Sequence, residues 1–224
     1  LFLKQRYIGC LGGTFDPVHD GHLAAAQQVR AALPVNEIRF IPAGVPVHRG
    51  APGASIADRL AMLHLALDGL SDMVIDEREI QRAQAGEPNY TLCTLQSLHA
   101  EMPDAVLLWV IGDDAFAELT GWYQWQKLFD EAHFVVMTRT TELVLPEELR
   151  VFLRGREVTT AEALQQQKAG LVYRLTMPPN EASATAIRTA IAENHAESIA
   201  HLLPEAVLSY IARRGLYRAN YGNL

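Results

Sequence analysis
Short, uniformly apolar runs alternating with helix-patterned stretches constrain this chain more than any other feature. Runs of this size are strands, and their lack of a polar face calls for a sheet covered on both sides. The first, at 7–11, closes on Gly12-Gly13. A helix should follow it, capped by Asp20-Gly21, carried through the alanine-rich stretch 23–33 and stopped by Pro34. Residues 38–41 make the next strand, ended by Pro42 and Gly44 in a loop running to about Pro52. Ser55 with Asp58 resembles a capping box, and Leu60, Leu63 and Leu67 share one helical face up to Gly69. Further strands are expected at 73–76, 105–111, 133–137 and 171–175, with a helix at 91–102. Residues 146–168 are polar and helix-prone. The end is helical: 183–194, then Pro204 at a first helical position leading Val207, Leu208 and Ile211 to a stop at Gly215.

Such alternation forms a parallel sheet, because parallel neighbours need crossover connections, and right-handed crossovers put helices on both faces. The expected fold is α/β, a Rossmann-like doubly wound sheet over about 5–180 with a small C-terminal helical part over about 181–218. A chain of 224 residues can bury one good core but not two independent ones, so 1–224 is expected as a single domain.

Composition narrows the function classes. Hydrophobic residues make up 49% and charged residues 20%, which is globular rather than disordered. A formal net charge of -7 disfavours a nucleic-acid partner, since phosphate-backbone affinity rests on Lys and Arg. Cys10 and Cys93 stand far apart with no metal-ligand or redox spacing, as expected of reduced thiols. The apolar stretch at 7–11 is too short to span a membrane and lacks a signal-peptide pattern, so a cytoplasmic location without a membrane partner is expected.

In doubly wound sheets the ligand crevice opens at the carboxyl ends of the strands, normally beside the first strand–helix loop. Here that loop reads Gly12-Gly13-Thr14-Phe15-Asp16-Pro17-Val18-His19-Asp20-Gly21-His22. The doubled glycine lets backbone N–H groups approach an anion, and the following helix aims its own N–H groups at the same place. Neither a G-x-G-x-x-G fingerprint nor a P-loop is present. His19 and His22, three residues apart and separated by Gly21, can turn both rings toward one phosphate. Either histidine alone reads as a surface or hydrogen-bonded core residue; the pair over a doubled glycine reads as a phosphate site. Zinc ligation lacks the H-E-x-x-H spacing and a third local ligand.

This loop resembles the signature of the H-x-G-H nucleotidyltransferase superfamily, and its G-G-T-F-D-P-[IV]-H form resembles the bacterial nicotinate-nucleotide adenylyltransferases. Pro46-Val47-His48-Arg49 is similar to that family's P-P-H-[KR] loop, and Asn89-Tyr90-Thr91 with Thr94-Leu95 to its S-Y-T-x-x-T-L segment. Ile111-Gly112-Asp113-Asp114 is similar to its I-G-x-D turn, with Trp122-Tyr123 and Trp125 following at family spacing. Ser183-Ala184-Thr185-Ala186-Ile187-Arg188 resembles I-S-A-T-x-I-R, and Tyr210-Ile211 with Gly215-Leu216-Tyr217 resembles the last helix. The likeness covers about 11–217. Val47 replaces the second proline of its motif, Ala182 an isoleucine, and Thr140-Thr141 an R-P-G turn; none is a proposed phosphate contact.

The resemblance implies adenylyl transfer from ATP to nicotinate mononucleotide, giving nicotinate adenine dinucleotide and pyrophosphate in NAD biosynthesis. Catalysis would fall to His19, His22 and Arg188. ATP would lie on the backbone of Gly12, Gly13 and Thr14 and on Phe15, beside the two histidines. Its adenosine ribose would meet Ile111, Gly112 and Asp114, although either aspartate there also reads as a helix cap. Ser183, Thr185 and Arg188, where a helix start, hydroxyls and a guanidinium converge, would grip the pyrophosphate. Thr14, His48, Arg49, Tyr90, Thr91, Trp122 and Tyr123 would hold the mononucleotide, with Trp122 stacking on the ring and Trp125 in the core. Mg2+ should arrive on the ATP phosphates, with no metal site in the protein, because octahedral magnesium keeps waters and binds substrate phosphates. A relative using nicotinamide mononucleotide or phosphopantetheine shares the first loop, and a non-catalytic nucleotide-binding module is the reading from another class. An NAD-dependent oxidoreductase lacks its G-x-G-x-x-G. A homo-oligomer is compatible with each of these.

Overall fold
The computed structural model describes residues 5–44, 53–138 and 144–218. In chain order the elements are β1 (Arg6–Gly13), α1 (Asp20–Ala32), β2 (Glu37–Pro42), α2 (Ile56–Leu67), β3 (Met73–Ile75), α3 (Arg78–Gln84), α4 (Thr91–Glu101) and β4 (Ala105–Gly112). There follow α5 (Asp113–Ala117), α6 (Leu128–Glu131), β5 (His133–Thr138), α7 (Glu147–Phe152), β6 (Glu157–Val158), β7 (Val172–Thr176), α8 (Ala184–Ala192) and α9 (Glu205–Arg214). Short 3-10 turns at Leu119–Gly121, Trp125–Lys127, Ala161–Gln165 and Ala196–Leu202 complete the chain.

All strand pairs are parallel, and the sheet runs β3-β2-β1-β4-β5-β7-β6. Strand order therefore reverses between β1 and β4, which pair with Leu11 opposite Val110. The crevice of a doubly wound sheet opens at such a switch point, here between the end of β1 and the end of β4.

Side-chain alternation divides the sheet into two apolar faces. On one, Tyr7, Leu11, Ile38, Phe40, Val106, Leu108 and Val110 pack under α1, α2, α8 and α9, whose Val29, Met62, Ile187, Val207 and Ile211 are buried with them. On the other, Ile8, Cys10, Leu107, Trp109, Phe134 and Val136 pack under α4, α5 and α6 through Leu95, Phe116 and Phe129. Each such side chain contributes about 1.5–3 kcal/mol on burial. β5 begins with a polar exception. The buried His133 ring accepts the Leu171 N–H on Nδ1 at 3.1 Å and lies 3.0 Å from the Gln167 carbonyl through Nε2, so both nitrogens are used and the ring is neutral and structural.

The expected strands and most helices form, but four local readings change. α1 starts one residue earlier than its cap was placed: His19 is the N-cap and Asp20-Gly21 lie in the first turn. Pro204 occupies the N-cap of α9 rather than its first helical position, while Gly215 does end that helix in the left-handed conformation, φ 63°. The stretch 146–168 is largely not helical. Gly155, at φ 75°, breaks α7, and Arg156 stacks on Phe152 at 4.5 Å before the chain adds β6 as an edge strand and a 3-10 turn that buries Leu164. α3, finally, is a helix for which the sequence carries no apolar period; only its Ile80 is buried.

Candidate active site
β1 delivers its glycines to the switch point at very close quarters. A Cβ on Gly12 would stand 3.1 Å from Trp109 Cζ2, and one on Gly13 3.1 Å from the Phe15 ring. The chain then turns through Phe15 at φ 50°. The Phe15 ring is buried edge-on against His22, centroids 4.9 Å apart, and against Phe40, so any contact with a ligand falls to its main chain.

His19 and His22 stack on one another, ring centroids 3.8 Å apart and planes at 29°. The extended main chain of His19 makes this possible, since the N-cap residue leaves the helix and its ring can fold back along the first turn. The His19 N–H donates to His22 Nδ1 at 3.3 Å. With Nδ1 accepting, the neutral His22 ring carries its proton on Nε2, which makes that atom a donor. Gly21 fits closely beside them: a Cβ there would lie 3.0 Å from the His19 ring and 3.3 Å from Asn180 Oδ1.

α8 meets the same loop. Arg188 Nη1 donates to the Asp16 carbonyl at 2.6 Å and Nη2 reaches Thr185 Oγ1 at 3.4 Å. The guanidinium lies 3.8 Å from Asp16 Oδ2 and remains about one-third exposed. Below the loop sits a cation the sequence reading did not single out. Arg59, fully buried in α2, donates to the Thr14 carbonyl at 2.7 Å and to the carbonyls of Ala43 and Gly44 at 2.9 and 3.3 Å. It ties the loop after β1 to the loop after β2, and burial lowers its pKa while the Asp16 charge opposes that shift. Its signal was an arginine at i+3 from Ile56 and i−4 from Leu63, on the apolar face of the helix. Asp16 was also missed as more than a motif letter: its carboxylate accepts the Gly53 and Ala54 N–H groups at 2.7 and 3.0 Å and the Tyr217 hydroxyl at 2.8 Å.

A second group of residues gathers where α4 begins. Tyr90, its N-cap, stacks on Tyr123 at 4.3 Å and 20°, and Trp122 beside it is half-buried. Thr94 donates to Glu79 Oε1 at 2.8 Å, and Asn89 Nδ2 donates to the Glu79 carbonyl at 2.8 Å, so α3 braces the start of α4. Burial pushes the Glu79 carboxyl up to about 7.

With this geometry in view, the comparisons with known proteins are decisive. The cytidylyltransferase-like family model matches residues 10–190. A Pseudomonas syringae pv. tomato protein named probable nicotinate-nucleotide adenylyltransferase is 41% identical over 216 residues, covering 96% of this chain and 95% of that one. A Stenotrophomonas maltophilia protein of the same name is 42% identical over 214 residues, covering 93% and 95%. The chain belongs to the nicotinate-nucleotide adenylyltransferase family. The fold agrees: Plasmodium falciparum nicotinic acid mononucleotide adenylyltransferase complexed with NaAD superposes with a TM-score of 0.72 at 16% identity, over 95% of this chain and 98% of that one. Its complex with APC gives 0.70 at 17% identity with the same coverage.

As a nucleotidyltransferase of this family, the chain places its motif residues as follows. Gly12, Gly13, Thr14, His19, His22 and Arg188 come together around the first loop. Ile111 is buried and Gly112 caps α5 at the end of β4, next to β1; Asp114 is exposed there, its N–H donating to Asp113 Oδ1 at 3.0 Å. Ser183 is the N-cap of α8 by its backbone, yet its side chain makes no capping bond, and it and Thr185 are exposed. Trp125 is buried against Phe129 and Phe152. His48 and Arg49, with Pro46, Val47, Thr140 and Thr141, lie outside the described residues.

Proposed function
We propose that His19, His22 and Arg188 carry out adenylyl transfer from ATP to nicotinate mononucleotide, yielding nicotinate adenine dinucleotide and pyrophosphate. The observation that carries this reading is the stacked imidazole pair at the switch point, with a guanidinium from α8 on the same loop. A phosphate oxygen of the mononucleotide attacks the α-phosphorus of ATP; the bond from that phosphorus to the bridging oxygen breaks, and pyrophosphate leaves. That nucleophile is already anionic at neutral pH, so the protein's task is alignment and stabilisation of charge on the bridging and leaving oxygens. The loop glycines offer main-chain N–H groups, His22 Nε2 donates toward the phosphates, and Arg188 takes the pyrophosphate. Removing one such donor typically costs about 2.7–4 kcal/mol of barrier.

The donor set fits a Mg2+ ion carried on the substrate's phosphates rather than in a protein cage, because the Asp16 carboxylate is committed to two backbone N–H groups and a hydroxyl. Such an ion neutralises phosphate charge. Ile111, Gly112 and Asp114 would meet the adenosine, and Trp122, with the main chain at Thr91 and Tyr123, the nicotinate ring and its carboxylate. Among the described residues no helix is long and apolar enough to cross a membrane, and Cys10 and Cys93 are free thiols, in keeping with a cytoplasmic enzyme. Paired assays with the nicotinate and nicotinamide mononucleotides test the assignment: a clear preference in kcat/KM for the acid is expected, and equal use of the amide would contradict it.

A further inference from the structure
Tyr217 lies beyond the end of α9, and nothing in the transfer chemistry calls for it. Its main chain nevertheless takes φ 62°, a left-handed conformation that an aromatic residue keeps only when its surroundings hold it there. Two contacts do so. The hydroxyl donates to Asp16 Oδ1 at 2.8 Å, and the ring packs on Gly53, where a Cβ would stand 3.1 Å from Tyr217 Cδ1 and 3.4 Å from Arg188 Cδ. Burial and the Asp16 charge both push the phenol pKa upward, so the hydroxyl stays a donor at every working pH. Three segments thus converge on the buried Asp16 of the first loop: the chain at Gly53-Ala54, the α8 guanidinium and the C-terminal turn.

We propose that Tyr217 is a positioning residue for the transfer reaction: through the Asp16 carboxylate it fixes the main-chain carbonyl on which Arg188 rests, and so the place of that guanidinium relative to the His19–His22 pair. The inference rests on the reading of Arg188 as the group that holds pyrophosphate. Asp16 supplies both contacts at once, its side chain to Tyr217 and its main chain to Arg188, so a tilt of the carboxylate moves the carbonyl that carries the cation. α9 makes a matching bond that does not touch the loop, Tyr210 to Asp58 Oδ1 at 2.9 Å, which serves as an internal control.

In the full chain, Tyr217→Phe keeps the ring and removes only the hydroxyl. It is expected to lower kcat about tenfold, with mononucleotide KM and thermal midpoint near wild type and pyrophosphate binding weakened. In an Arg188→Ala background the same substitution should lower kcat little further, because the group being positioned is gone. Gly53→Ala, whose Cβ would press on the Tyr217 ring, should repeat the kcat loss, whereas Tyr210→Phe should shift only the thermal midpoint. Unchanged kcat in both Tyr217→Phe and Gly53→Ala, losses that multiply in the double variant, or an equal kcat loss in Tyr210→Phe would overturn the proposal. Undiminished pyrophosphate binding in Arg188→Ala alone would instead remove the reading of Arg188, and this inference with it.

Discussion

Two groups of motif residues, a pinned end at β1 and an open end at the start of α4, are built differently. Around β1 several polar groups are pinned: Arg59 spans three carbonyls, Asp16 holds two N–H groups and a hydroxyl, and His19 is buried and stacked on His22. Around the start of α4 the elements are aromatic and open: Tyr123 is 47% exposed, stacks on Tyr90, and is followed by Gln124 in the left-handed region at φ 48°. The difference matches the role proposed for each end. Stabilising charge that develops on phosphate oxygens depends on donors fixed in advance, since any reorganisation at the moment of reaction adds to the barrier. Holding a flat ring depends on area and stacking, which tolerate small displacements. The pinned end should therefore govern kcat and the open end KM.

The largest effect expected on this contrast is at the pinned end. His22→Ala should lower kcat by about a hundredfold or more while the thermal midpoint stays near wild type, as a steady-state assay beside a melting curve will show. Retained kcat would place the ring outside the mechanism. At the open end the expectation is milder and of another kind: Trp122→Ala should raise the mononucleotide KM about tenfold and leave the ATP KM alone, because a lost stacking partner is worth about 1–3 kcal/mol. A fall in kcat with unchanged KM would erase the distinction between the two ends.

The smallest effect concerns the brace beneath the open end. The Glu79 carboxyl, lifted by burial from 4.5 to about 7, binds its proton more tightly in the folded chain than in the unfolded one. Its contribution to stability is thus full below about pH 4.5 and is lost as pH rises through about 7. The carboxyls of Asp58, Asp76 and Glu101 are held below their ordinary values, so they act in the opposite sense and at lower pH. Glu79→Gln should flatten the decline in thermal midpoint between about pH 5 and about pH 8, read by calorimetry. An unaltered slope would mean that the braced carboxyl is ionised like any surface glutamate.

The same contrast explains what could be read from the residues alone. The pinned end announces itself in the chain, since a doubled glycine after a buried strand and two histidines flanking a third glycine admit few other uses, and β1, β4 and β5 were legible as unbroken apolar runs. The supports of that end were not legible, because they arise from contacts across long sequence separations. Asp16 to Tyr217 and Arg59 to Thr14 join elements whose proximity only the fold creates. Short elements were obscured for a different reason: α3 buries a single side chain and β6 is two residues long, so neither carries enough pattern to show a period. Phe15, assigned to ATP by resemblance, packs its ring into the core, so the contact proposed at this position falls to its main chain, a distinction that a motif letter does not carry.

The central claim, that the stacked imidazoles over the doubled glycine receive the ATP phosphates, is tested most directly by a crystal structure of the full chain with Mg2+ and a non-hydrolysable ATP analogue. The account predicts the phosphate chain within hydrogen-bonding distance of His22 Nε2 and the main-chain N–H groups near Gly13, with Arg188 turned toward its outer end. An analogue bound elsewhere, with both rings and the glycine loop out of its reach, would contradict it.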